Sequence, residues 1–240
     1  MKTNQYINQT NSTNDLCWEM NREEYLPDGF VIYTDFQSAG KGQPGNAWES
    51  AKGKNLLFSI VLHPLHVPMD ELFMLSELVS VAIKKALEVY TSEITVKWPN
   101  DIYWKDKKIA GILIENSLQG NRIKTVVIGV GLNVNQREFV SKAPNPVSLQ
   151  QITGRQYRRK QLLLQISQNI EDLYKKFNKD EIRSIYAESL YRKVGYHTYR
   201  EESDLFQAKI LEVHADGQLI LEKENGDRRG FYFKEVQFVH

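Results

Sequence analysis

Residues 40–46 read Gly-Lys-Gly-Gln-Pro-Gly-Asn, and their types suggest contact with an anion. Glycines let backbone N–H groups approach an anion closely, and Lys41 adds a positive charge. The spacing matches G-x-G-x-x-G, but a dinucleotide-binding loop must open a helix, and Pro44 argues against a helix here. A plain surface loop between two strands is the alternative, and the loop on its own favours that interpretation.

A second candidate segment is KWPND at residues 97–101, which places two polar side chains behind a proline. Proline fixes the turn and keeps the preceding residue extended. Asn100 and Asp101 either close the turn through their side chains or offer oxygen to a magnesium ion or a water bound to phosphate. These residues alone leave the two interpretations even.

Glycines inside apolar runs form a third group. Gly111 interrupts the run KIAGILIE, which begins at Lys108, and Gly129 and Gly131 lie two positions apart in GVGLNVN. An interior glycine often marks the close approach of a ligand, and glycines two apart leave a slot on one strand face. Lys108 follows a charged turn, where a lysine is commonly only solvated. Asn133 either reads an adenine edge or ends its strand.

The fourth segment, Asn-Ser-Thr-Asn-Asp at residues 11–15, has the composition of a helix N-cap ahead of residues 16–20. Its hydroxyls and amide are equally suited to a polar, uncharged ligand head. The single cysteine, Cys17, has no histidine partner in the sequence, so a small buried thiol is expected there.

Hydrophobic periodicity predicts the elements that must position these residues. We predict strands at 30–34, 56–62, 94–98, 102–104, 109–115 and 126–134, and helices at 70–90, 162–177 and 180–191. The last helix is expected to be capped by Asp180. The fold class is therefore α+β, a mixed sheet with helices packed on one side.

The residue pattern changes after Gly195. Apolar and polar residues alternate, as in strands, at 206–213, 218–221 and 230–238, and turn signals separate these segments. We therefore predict a catalytic unit at residues 1–192 and a small β domain at 193–240.

The composition excludes several classes of protein. The chain has 240 residues, 41% hydrophobic and 25% charged, which is typical of a globular protein with a real core. A net charge of +1 lacks the basic excess of a dedicated nucleic-acid binder. No apolar stretch is long enough for a membrane span or a signal peptide, and one cysteine forbids an internal disulfide. A cytoplasmic protein without a membrane partner is expected.

Taken in order, these segments resemble the biotin–protein ligases, from Ser12 to the C-terminus. KWPND at its distance from KIAGIL is the specific part, and the glycine loop followed by Trp48 supports it. The resemblance implies a class II synthetase-like catalytic domain and a C-terminal SH3-like β-barrel. It also implies a reaction with ATP and Mg²⁺, in which biotin becomes biotinyl-AMP and then acylates a lysine of a biotin carboxyl carrier protein. Lipoate or octanoate ligases share the fold without the KWPND and GILIE pair, and a non-catalytic biotin sensor is the other alternative.

The resemblance also assigns roles to residues. Those implied to bind biotin are Ser12, Thr13, Asn14, Gln37, Gly40, Lys41, Gly42, Gln43, Lys108 and Gly111. Those implied to bind ATP or the adenylate are Trp48, Lys97, Asn100, Gly129, Gly131 and Asn133. Lys108, Lys41 and Asp101 are implied to be catalytic, with Asp101 also the candidate magnesium ligand.

Two departures from the family pattern matter. Lys41, Gln43 and Asn46 stand where many members have arginines, so weaker retention of biotinyl-AMP is expected. Only 11 residues precede Ser12, so a monofunctional ligase without a helix-turn-helix domain and without DNA binding is expected. A homodimer formed through the main sheet is possible in such a family.

Overall fold

The main sheet of the protein has seven strands. The computed structural model describes residues 4–65, 67–120, 122–140 and 145–239. The strands are β1 (Asn4–Thr10), β2 (Phe30–Gln37), β3 (Leu56–Leu62), β4 (Ile94–Lys97), β5 (Asp101–Trp104), β6 (Lys107–Gln119) and β7 (Arg122–Leu132). Their order is β1-β2-β3-β7-β6-β5-β4. Only the β1–β2 pair is parallel among the pairings of the described strands, so the sheet is mixed as predicted.

Helices cover both faces of this sheet. They are α1 (Thr13–Glu23), α2 (Phe73–Leu87), α3 (Leu149–Thr153), α4 (Arg159–Lys176) and α5 (Lys179–Glu188). Side chains alternate along β3, so Phe58 and Ile60 join the large core with α2 and α4, while Val61 packs with Cys17 of α1 on the other face. The prediction that helices pack on one side was therefore wrong.

Several element boundaries also differ from the predictions. A 3-10 turn at Met69–Glu71 follows Pro68, so α2 begins at Phe73 rather than at residue 70. The last helix is capped by Asn178, whose side chain accepts a hydrogen bond from Glu181 N, and not by Asp180. The polar segment that forms β1 was not predicted to be a strand, because an edge strand needs little apolar surface.

The second sheet has five antiparallel strands. They are β8 (His197–Glu201), β9 (Asp204–Val213), β10 (Leu219–Lys223), β11 (Arg228–Phe231) and β12 (Gln237–Phe238), in the order β11-β10-β9-β8-β12. The predicted strand at 230–238 is two strands separated by a turn, and β8 was missed. The α+β class with a small C-terminal β unit is confirmed, while its boundary at residue 192 stays a prediction.

One turn of the second sheet is fastened to the main unit. Trp98 Nε1 donates a hydrogen bond of 2.9 Å to Gly217 O, and Ser76 Oγ of α2 donates one of 3.1 Å to Pro99 O. The KWPND turn, with its cis Trp98–Pro99 bond, is thus held between α2 and the second sheet.

Among the described residues, none of the helices combines the length and the apolar character that a membrane span requires.

Candidate functional site

A cavity of about 920 Å³ lies between the α1 face of the main sheet, the glycine loop and the second sheet. It brings together every site residue predicted from the sequence except Gly40. The predicted residues that line it are Ser12, Thr13, Asn14, Gln37, Lys41, Gly42, Gln43, Trp48, Lys97, Asn100, Asp101, Lys108, Gly111, Gly129, Gly131 and Asn133. Residues from segments that are distant in sequence therefore share one concave surface.

The start of α1 forms one end of the cavity. Ser12 is the N-cap of this helix, so the N-cap interpretation of residues 11–15 is confirmed. Thr13 donates from its backbone N and its Oγ1 to Gln37 Oε1, at 2.7 and 3.0 Å. Ser12 and Thr13 are almost fully buried, so their polar atoms are held in place by neighbours rather than by solvent.

Ser59 and Glu115 extend this arrangement, and sequence reasoning missed both. Ser59 Oγ lies 2.7 Å from Thr13 Oγ1 and 2.6 Å from Asn14 Oδ1. Asn14 Nδ2 donates to Glu115 Oε2 at 2.8 Å. We call these residues, together with Gln37, the α1 network. A serine inside an apolar strand was the only sequence signal for it.

The glycines of β6 and β7 make room for side chains that cross the sheet. A Cβ on Gly129 would lie 2.3 Å from Asn14 Oδ1, and a Cβ on Gly131 would lie 2.3 Å from Trp48 Cε2. A Cβ on Gly111 would lie 3.0 Å from Trp48 Cζ3. The predicted slot is therefore present, and here the indole of Trp48 lies over Gly111 and Gly131.

Lys108 and Asp101 form an ion pair on the wall of the cavity. Lys108 Nζ lies 2.7 Å from Asp101 Oδ1, and each side chain keeps about a quarter of its surface exposed. The same ammonium lies 5.6 Å from the centre of the Trp48 ring. The register of the β5–β6 hairpin positions the pair, since Asp101 opposes Gly111 and the turn brings Lys108 back beside it.

Lys97 is a second partly buried cation of the cavity. Its Nζ donates to Tyr103 Oη at 3.2 Å and lies 5.2 Å from the centre of the Phe238 ring. Burial lowers the pKa of Lys97 to about 8, against a smaller opposing effect of Asp101. This ammonium is therefore poised to lose its proton just above neutral pH.

The glycine loop contributes one cation, Lys41, which is more exposed than Lys108. Lys41 Nζ lies 2.5 Å from Asp15 Oδ1, and both side chains are more than a third exposed. The hydrogen bond to Asp15 raises the pKa of Lys41. Gly40 does not line the cavity. A Cβ there would lie 2.8 Å from Trp48 O, so this glycine allows the close packing of the loop.

The two asparagines of the cavity differ in how far their polar atoms are satisfied. Asn100 Nδ2 donates to Ile112 O of β6, so its amide ties the KWPND turn to a neighbouring strand rather than closing the turn on itself. Asn133 is 3% exposed, and its Oδ1 has no hydrogen-bond partner among the described residues. A buried acceptor without a partner is costly, so Asn133 offers a place for a ligand donor.

No group of three or more His, Cys, Asp or Glu side chains in the described part of the chain could hold a metal. Magnesium, however, is commonly bound through one or two carboxylates plus substrate phosphates. Asp101 fits that pattern, whereas a metal held by protein side chains alone does not.

The second sheet supplies part of the cavity that was not predicted. Its lining residues are Phe233, Lys234, Val236, Gln237 and Phe238. They come from β12 and the turn before it, so the C-terminal unit covers the side of the cavity that contains Lys97.

Both a family profile and individual relatives match the sequence of this chain. The profile of the Biotin/lipoate A/B protein ligase family matches residues 6–133. The bifunctional ligase/repressor BirA of Bacillus spizizenii is 30% identical over 210 residues, covering 85% of this chain and 64% of the relative. The biotin–[acetyl-CoA-carboxylase] ligase of Mycobacterium tuberculosis is 33% identical over 113 residues, covering 45% of this chain and 41% of the relative.

Among solved structures, a biotin protein ligase from Aquifex aeolicus in complex with biotin and ATP superimposes over the whole of both chains. The TM-score is 0.81 and the sequence identity is 25%. The chain spans less than two thirds of the length of the curated relatives above. The matched profile covers more than half of the chain, including the start of α1, the glycine loop, KWPND and both glycine-bearing strands. The chain therefore belongs to the biotin/lipoate A/B protein ligase family.

Proposed function

We propose that the protein joins biotin to a lysine of a biotin carboxyl carrier protein, with biotinyl-AMP as the intermediate. The observation that carries this proposal is one cavity lined both by Thr13, Asn14 and Gln37 of the α1 network and by the Lys108–Asp101 pair. One end presents buried polar groups suited to an uncharged ring system, and the other presents ammonium groups suited to phosphates. A substrate that carries a carboxylate must then lie between them.

In the first step a biotin carboxylate oxygen attacks the α-phosphorus of ATP. A new P–O bond forms, the bond to pyrophosphate breaks, and the products are the mixed anhydride biotinyl-AMP and pyrophosphate. Two anions must approach each other, so charge neutralisation and orientation dominate the barrier. Lys108 would stabilise the charge on the α-phosphate, and Lys97 lies further along the same wall.

In the second step the neutral amine of a carrier lysine attacks the acyl carbon of biotinyl-AMP. An amide bond forms, AMP leaves with the electrons of the C–O bond, and the amine loses one proton. The adenine is expected to lie near Trp48, with Asn133 Oδ1 accepting from its amino group, since asparagine is suited to an adenine edge. The glycine loop and the second sheet would keep water from the anhydride.

Magnesium accompanies ATP in this proposal and neutralises phosphate charge. Asp101 is the side chain that would hold it, and the carboxylate would then leave Lys108 free for the α-phosphate. Lys41, Gly42 and Gln43 would contact the carboxylate end of biotin and the phosphate, while Gly129 leaves space for Asn14 against the biotin end.

The carrier protein and a homodimer complete the proposal. β1 is an edge strand that pairs with β2 on one side, and it has no second neighbour among the described strands. Such an edge can pair with a second copy or with an extended segment of a partner. Burial raises the pKa of the Cys17 thiol to about 12, so this thiol is expected to be unreactive. The cytoplasm is the compartment that we propose for the reaction.

An adenylation assay tests the proposal. The protein is mixed with Mg²⁺, α-labelled ATP and one acid, and labelled acyl-AMP is sought with biotin, lipoate and octanoate in separate reactions. Product with biotin alone is expected. Product with lipoate or octanoate instead would move the protein to the other branch of its family. Biotin binding without acyl-AMP would leave a sensor as the function.

A further inference from the structure

The turn between β11 and β12 reaches across to the glycine loop. Lys234 Nζ donates a hydrogen bond of 3.0 Å to the carbonyl oxygen of Pro44, and the two residues are 190 positions apart in sequence. Lys234 also lines the cavity. This contact therefore joins the second sheet to the glycine loop at the mouth of the cavity.

The ammonium is placed by a well-fixed turn. Glu235 N donates to Tyr232 O at 3.0 Å, and Tyr232 N donates to Glu235 Oε2 at 2.7 Å. Lys234 itself has a φ of +73°, a left-handed conformation that a lysine rarely adopts. The surrounding turn thus holds the Lys234 backbone in an uncommon state.

The glycine loop has few interactions of its own. Three backbone bonds hold it, from Gly42 N to Asn46 O, from Asn46 N to Gln43 O and from Trp48 N to Gly40 O. Its charged side chain, Lys41, is directed to Asp15 of α1. The exposed tip of the loop is thus anchored from outside by Lys234.

We propose that Lys234 is a positioning residue that holds the glycine loop closed over the cavity by donating to the Pro44 carbonyl. The ammonium acts on the loop rather than on reacting atoms. The part of the proposal that concerns retention of biotinyl-AMP rests on the proposed function, and the anchoring of the loop does not.

The first measurement is amide hydrogen exchange of the protein without ligands. The amides of Gly42, Asn46 and Trp48 report opening of the loop. In Lys234→Met they are expected to exchange roughly two- to tenfold faster, because one hydrogen bond from a charged donor is lost. Lys234→Arg keeps a donor at the same φ and should restore slow exchange.

A matched control is Lys223→Met. Lys223 lies on β10 of the same sheet, with its ammonium 5.0 Å from the centre of the Phe206 ring, and it does not line the cavity. Amides of β7 in the same samples report whether the core stays folded. Unchanged loop exchange in Lys234→Met with an intact core would overturn the proposal.

The second measurement separates retention from chemistry. Lys234→Met is expected to release biotinyl-AMP roughly two- to tenfold faster, with the rate of its formation at saturating substrates changed by less than about twofold. Equal effects on both rates, or no rescue by Lys234→Arg, would contradict a positioning role. If the wild-type protein forms no biotinyl-AMP, the proposed function fails, while the exchange comparison still decides whether Lys234 anchors the loop.

Discussion

The two ends of the cavity are built in opposite ways. At the α1 network, Thr13, Asn14 and Ser59 are at most 3% exposed, and each hydroxyl or amide contacts another protein group. Lys108, at the other end, and Lys41 of the glycine loop are partly exposed, and each ammonium is held by one carboxylate. One end is thus preformed, whereas the other holds ion pairs that a substrate can replace.

This difference follows from what each end has to bind. An uncharged polar head gains from groups that are already oriented, because no side chain has to be ordered on binding. A polyphosphate brings its own charges, and an exposed ion pair costs little to open. Changes at the α1 network should therefore alter stability and biotin binding together, while changes at the cationic end should alter ATP use with little effect on stability.

The largest expected effect is at the cationic end. Lys108→Met should lower the rate of biotinyl-AMP formation about 100- to 1000-fold, as expected when one donor to a developing charge is removed. Its melting temperature should change little, because the Lys108–Asp101 pair is partly exposed. Lys107→Met, at the exposed neighbouring position, is the control. A rate within threefold of wild type would remove Lys108 from the mechanism.

Adding a cation to the glycine loop should strengthen the retention of biotinyl-AMP, whereas removing Lys108 weakens its formation. Gln43 lines the cavity, and an arginine there can donate a charge-assisted hydrogen bond to the intermediate. Gln43→Arg should slow the release of biotinyl-AMP about 10- to 100-fold, which corresponds to roughly 1.5–3 kcal/mol. Gln43→Met tests whether side-chain size matters. An unchanged release rate for the arginine variant would show that this position does not retain the intermediate.

The α1 network should behave differently under a small deletion. Ser59→Ala leaves the polar groups of Thr13 and Asn14 with one contact fewer, and it should reduce stability by about 1–2 kcal/mol. Biotin affinity should fall about five- to tenfold, with KM for ATP unchanged. Ser80→Ala is a matched control, because Ser80 is equally buried but its Oγ has no partner among the described residues. Calorimetry and biotin titration measure both effects, and a Ser59 variant that changes KM for ATP instead would contradict the division of the cavity.

Lys97 allows the cationic end to be tested by pH. Its pKa of about 8 lies below the usual 10.5, so its charge is present at pH 7 and lost as the pH rises through 8. The wild-type kcat/KM for ATP should therefore fall by up to about tenfold between pH 7 and 9. Lys97→Met should have a lower value at pH 7 and lack this fall. An identical profile in the variant would assign the titration to another group.

The smallest effect is expected at the exposed Lys41–Asp15 pair. Asp15→Asn should release Lys41 toward the phosphate and lower KM for ATP by less than about fivefold, since exposed pairs contribute at most about 1 kcal/mol. In a Lys41→Met background the same change should have no effect. A double-mutant cycle measures this coupling, and an equal effect in both backgrounds would mean that Asp15 acts without Lys41.

The parts of the site that could be predicted are those whose signal is local. Gly111, Gly129 and Gly131 interrupt apolar runs, and the slot that they predict is present, although side chains of the protein itself, Trp48 and Asn14, occupy it. The proline of KWPND correctly predicts a turn. The bond from the Asn100 amide to the backbone of Ile112 on the next strand has no local signal.

What could not be predicted depends on contacts between distant segments. Ser59 is marked only as a serine inside an apolar run, Glu115 carries no such signal, and it is the sheet register that brings both to α1. The charge pair of Asp15 with Lys41 likewise needs the folded loop. The second layer of helix was missed although β3 is buried at every position, which is the pattern of a strand covered on both faces.

The hydrogen bond from Trp98 to Gly217 makes the turn at Gly217 less tolerant of insertions than the turn at Gly226. A Cβ on Gly217 would lie 2.7 Å from Phe73 Cδ2, and its carbonyl holds the indole one residue before Pro99. Gly226 has nothing within 4 Å of the same position. A peptide tag or a length change can therefore be grafted at Gly226, whereas the turn at Gly217 must keep its length for KWPND to keep its place.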